Sequence, residues 1–118
     1  MRIGLICHAG FGGSVRIAVE LAESLGRRGH EVHLFSRRSP LGRSTFEEGV
    51  VVHSLNGHDG EPPSARLDTT WSRTDLRTFS DLVAGVVEQH RLDVLHFHYA
   101  VPFAPLVAEL RSRWDGHA

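Results

Sequence analysis

Arg2-Ile3-Gly4-Leu5-Ile6-Cys7, running straight into His8-Ala9-Gly10-Phe11-Gly12-Gly13-Ser14, is the stretch that decides the fold. It reads as a short apolar strand, a glycine turn and the start of a helix. Gly10, Gly12 and Gly13 let the backbone turn sharply and approach a ligand closely. A helix beginning there aims unpaired N–H groups and the positive end of its dipole at the turn. A phosphate or carboxylate is the natural guest, although the same glycines also suit any tight strand-to-helix connection in an α/β domain.

Outward from that turn, Val15 to Arg28 carries apolar residues at Val15, Ile17, Ala18, Val19, Leu21, Ala22 and Leu25, the spacing of a helix with one buried face. Ser14 is the expected N-cap and Gly29 the C′ stop, with Arg27 and Arg28 in the last turn where cations suit the dipole. Glu31 to Ser36 is a second strand, so strand, helix and strand make a parallel unit with a right-handed crossover. Gly49 to Leu55 gives a third strand around Val50-Val51-Val52, and residues 56–64 are loop by composition. Trp71 to His90 reads as a helix and Asp93 to His98 as a fourth strand. A last helix has Pro102 in its first turn, and the tail from Arg113 has no clear element. Strands alternating with helices predict an α/β fold with a Rossmann-like open parallel sheet, residues 1–118 forming one partial domain.

Composition narrows the function classes. A formal net charge of −1 with nine histidines offers no bulk attraction for nucleic acid or an anionic membrane. All thirteen basic residues are arginine, which removes P-loop and Schiff-base lysines. The single cysteine, Cys7, excludes an internal disulfide and a Cys-based zinc site, and its place in the first strand makes it core filling. The N-terminal apolar run is too short for a signal peptide, and no segment approaches the roughly 18 apolar residues of a membrane span. A cytoplasmic setting is the expectation.

In such sheets ligands bind beyond the carboxyl ends of the strands. Three groups converge there: the glycine turn with Gly12, Gly13 and Ser14, the pair Arg37 and Arg38 after strand two, and His98-Tyr99 after strand four. Gly10 and Gly12 match the dinucleotide fingerprint, but Val15 replaces its third glycine and arginine replaces its ribose-binding acid, leaving an NADP-binding domain as a minor reading. Arg16, in the first turn of the helix, opposes the dipole unless an anion binds alongside. His96 and His98 share one face of their strand; with His8 they would make a metal set, but the preferred division is a buried, hydrogen-bonded His96 and a His98 at the pocket rim. His98 and Tyr99 would orient hydroxyl or carboxylate groups of a substrate. His30, His33, His53 and His58 carry no spacing signal, and no metal is expected.

Gly12-Gly13-Ser14, the segment Leu25-Gly26-Arg27-Arg28-Gly29-His30-Glu31-Val32, and Leu92 to Pro102 with its H-x-H-Y-A-x-P stretch together resemble the N-terminal domain of GT-B glycosyltransferases. Within them the chain is similar to the retaining, glycosyltransferase 4-like group, and most of all to the bacillithiol-pathway enzymes that transfer N-acetylglucosamine to malate. The likeness covers residues 1–108. It implies a nucleotide-sugar donor, a UDP-sugar, held mainly by a C-terminal domain, with a small-molecule acceptor held by this one. It also implies metal-independent catalysis without a cofactor and with the anomeric configuration kept. Gly12 and Gly13 would lie against the donor diphosphate or the acceptor anion, and His98 and Tyr99 would line the acceptor side.

Val15 stands where closer relatives often have a further glycine, and Phe103 where the malate-using enzymes tend to carry histidine, so the acceptor stays open. The chain stops before the family's T-x-H-G segment with its catalytic histidine, and before the donor domain. The leading reading is therefore an acceptor-side portion of a retaining glycosyltransferase, inactive alone, awaiting a complementary C-terminal half or self-associating through an unpaired sheet edge. A non-catalytic module that binds an anion or nucleotide is the second reading.

Overall fold

A computed structural model describes residues 1–7, 13–37, 40, 46, 48–55, 72–98 and 103–114. The elements are β1 (Arg2–Ile6), α1 (Gly13–Arg27), β2 (Glu31–Ser36), β3 (Val50–Ser54), α2 (Arg73–His90), β4 (Val94–Phe97) and α3 (Phe103–Trp114). The four strands form one parallel sheet in the order β3-β2-β1-β4. This is the Rossmann-like α/β arrangement that the alternation of elements predicts. β1 and β2 are the inner strands, buried on both faces, which is why they read as nearly continuous apolar runs. β3 and β4 form the edges and are partly exposed.

Register sorts the core into two layers. Ile3 and Leu5 lie beside Val32 and Leu34 and pack under Val15, Ala18, Val19 and Ala22 of α1. On the opposite face, Ile6 and Phe35 pack against Phe79 and Val83 of α2 and Phe103, Leu106 and Leu110 of α3. Phe35 and Phe79 are fully buried, each contributing about 1.5–3 kcal/mol by removal from water. Arg113 of α3 bonds Asp81 of α2, tying the two helices of that layer together.

Several boundaries differ from expectation, each for a local reason. Ser14 is the second residue of α1 and not its cap, because the helix already begins at Gly13 and turns the Ser14 hydroxyl inward. α2 begins at Arg73, since Ser72 caps it by accepting a hydrogen bond from the Asp75 backbone N–H at 3.0 Å. α3 continues through Trp114, whose indole packs on the α2–α3 core and so extends the helix into the predicted tail. Pro102 lies outside the described residues. Gly29 does stop α1, with φ +90°.

Candidate functional site

The carboxyl edge of the sheet gathers the groups expected there. β1 ends at Ile6, and α1 returns to that edge with Gly13 exposed at its first position. Ser14 Oγ is buried and has no hydrogen-bond partner. A buried hydroxyl left unpaired costs free energy, so such a group beside a helix N-terminus is suited to a ligand oxygen. Arg16 is exposed on the same first turn. Arg37, just after β2, donates from Nη2 to Asp75 Oδ2 at 3.0 Å, so part of its guanidinium is committed to the start of α2. This weakens the expectation that it meets a 2′-phosphate.

After β4, the His98 backbone N–H donates to the Ile6 carbonyl at 2.9 Å, which holds the residue beside the end of β1. The His98 ring is half-buried and its Nε2 has no partner. Burial, and secondarily the neighbouring His96, lower its pKa below the ordinary imidazole value. His98 is thus a neutral donor or acceptor at neutral pH.

The expected roles of the two histidines are corrected in part. His96 is exposed and stacks on His98, with ring centroids 4.5 Å apart and planes at 25°. β4 is an edge strand, and the sheet face that His96 occupies is not covered by α1 there, so the buried histidine expected at position 96 is open to solvent. His8, Gly12, Arg38 and Tyr99 lie outside the described residues. Phe103, where the malate-using enzymes would carry histidine, is fully buried and packs against Phe97, well inside the core.

Cys7 is buried, and desolvation pushes its thiol up to about 12, which removes it as a nucleophile. The Ser14 hydroxyl, the α1 amides and the neutral His98 ring can hold and orient an anion or a hydroxyl. Among the described residues, this edge carries no pair of unengaged carboxylates for acid–base chemistry.

A second cluster lies at the opposite, amino end of the sheet. His33 is buried at 1% exposure. Its Nε2 donates to Glu31 Oε2 at 3.1 Å, and its Nδ1 accepts from His53 Nε2 at 2.9 Å. His90, the last residue of α2, places its ring centroid 4.6 Å from that of His33. The hydrogen bond from His33 holds the Glu31 carboxyl below the usual range. Burial, helped by the charges of His33 and His90, lowers His53 to about 4. The sequence showed only the Glu31-x-His33 alternation, which puts both side chains on one face of β2. His53 and His90 join them only through strand pairing and the packing of α2.

An open parallel sheet in the order β3-β2-β1-β4, with a helix beginning and polar side chains gathered at its carboxyl edge, defines a Rossmann-like α/β domain. The sequence profile of glycosyltransferase family 4 matches residues 11–116. The chain belongs to that family. It is also 30% identical over 108 residues to N-acetyl-alpha-D-glucosaminyl L-malate synthase of Bacillus anthracis, a span covering 88% of this chain and 26% of that protein. The chain thus corresponds to about a quarter of the relative's length. No helix among the described residues is long and apolar enough to cross a membrane.

Proposed function

We propose that this chain is the acceptor-side part of a retaining, GT-B glycosyltransferase of the cytoplasm that draws on a nucleotide-sugar donor, a UDP-sugar, and needs a complementary donor-binding part for turnover. The buried, unpartnered Ser14 hydroxyl at the N-terminus of α1 carries this reading, in a chain of glycosyltransferase family 4. Gly12, Gly13 and Ser14 hold the acceptor's anionic group or the donor diphosphate, with Arg16 alongside. Backbone donors at a helix N-terminus stabilise charge that develops on a leaving diphosphate. His98 and Tyr99 orient the acceptor hydroxyl, His98 as a neutral ring. The relative's name makes malate the first acceptor and N-acetylglucosamine the first sugar to try.

The test supplies in trans the segment that the relative carries beyond this span and follows sugar transfer. Restored transfer that drops about a hundredfold or more on Ser14→Ala, the scale of one lost transition-state donor, supports the reading. Binding of malate or of UDP-sugar without transfer supports the second reading, a non-catalytic binding module. Binding of NADPH alone overturns the glycosyltransferase reading.

A further inference from the structure

We infer that Glu31, His33 and His90 form a binding site for one divalent transition-metal ion of the zinc class, at the end of the sheet opposite the sugar-transfer site. One ligand atom from each of the three lies within 4.8 Å of the others. The His33 Nε2 to Glu31 Oε2 separation, 3.1 Å, is close to the spacing of two ligands on one tetrahedral ion, which is about 3.4 Å for bonds of about 2.0–2.1 Å. Glu31 and His90 are exposed and partly exposed, so small side-chain rotations bring their ligand atoms in. Two imidazoles and one carboxylate suit zinc-class ions and not magnesium or calcium, which prefer oxygen donors alone. A water completes the fourth position.

The surroundings fit the same assignment. His33 is buried on the face of β2 that α2 covers, and His53 bonds the ring nitrogen that faces away from the metal position. A ligating histidine is commonly oriented through its far nitrogen in this way. On metal binding, His33 gives up its Nε2 proton to water by way of Glu31, and Nδ1 takes over the proton that His53 Nε2 was donating. His53 takes one proton back from water on its other nitrogen, so both rings stay neutral. Arg2 competes for the carboxylate, with Nε 3.8 Å from Glu31 Oε2. That exposed pair is weak and gives way to an ion with two further ligands. The bound metal would clamp the end of α2 to the start of β2.

The whole chain is titrated with Zn2+ in competition with a chromophoric chelator, and separately with Co2+ followed by visible absorption. One equivalent of Zn2+ should bind, and Co2+ should show the strong bands of a four-coordinate site. Glu31→Gln and His90→Ala, both outside the core, should each weaken binding at least about tenfold, and His53→Leu by roughly tenfold to a hundredfold through loss of orientation. His96→Ala should leave the affinity unchanged. Absence of stoichiometric binding overturns the assignment. So does binding that Glu31→Gln and His90→Ala leave intact, or binding lost on His96→Ala, which would place the ion on the His96–His98 pair.

Discussion

At the level of single residues, two buried polar groups without partners stand at the carboxyl edge of the sheet. Ser14 Oγ and His98 Nε2 are buried and unpaired at the same sheet edge, whereas Cys7, next along from β1, is an inert core thiol. Thiol-directed reagents should therefore modify Cys7 only as fast as the chain unfolds; labelling in native buffer at the rate of a small-molecule thiol would contradict this. His98 should titrate below the free imidazole value of about 6.5 in an NMR pH series. Because its folded pKa is depressed, the unfolded chain binds the proton first. Its contribution to stability is thus fully present above about 6.5 and fades as pH falls through the lowered value. Denaturant midpoints measured from pH 7 to pH 5 should fall less steeply for His98→Asn than for the parent. His98 was legible from the H-x-H alternation. The burial of its ring and the exposure of His96 were not, because both depend on which part of the sheet face the helices cover.

Among the elements, α1 and β3 meet backbone to backbone. Gly49 sits at φ +93°, and a Cβ there would lie 3.2 Å from both Cα and O of Gly26. Gly29 has φ +90° with open space around it. Gly29→Ala should cost only the left-handed conformation, about 1–2 kcal/mol, and Gly49→Ala measurably more in the same denaturant series. Equal losses would mean that the α1–β3 seam yields freely. Periodicity and glycine placement were enough to find every helix and strand of the described chain. Termini moved by one or two residues, in places because a cap or a tertiary contact decided them. Ser72 set the start of α2, and the packing of Trp114 carried α3 onward.

For the molecule as a whole, the open side of β4 matters most. Among the described residues, β4 pairs only with β1. Next to it, Met1, Ile3, Leu5, Leu21, Leu25 and Val94 line an open apolar groove of about 500 Å³. Val94 is 44% exposed. An exposed apolar strand edge favours pairing between chains. Sedimentation should show association that grows with concentration and is reduced by Val94→Lys. A monomer at all concentrations, or association indifferent to that charge, would rule the edge out as the contact.

The sequence by itself determined the parallel α/β architecture and the family likeness, since periodicity, glycine and short motifs are local properties of a chain. Tertiary structure alone decided that Ser14 is buried without a partner, that Arg37 is engaged by Asp75, and that Glu31, His33, His53 and His90 converge. Those facts rest on pairs 20 to 60 residues apart in sequence, brought together by parallel strand pairing and by the crossover of α2 over the sheet.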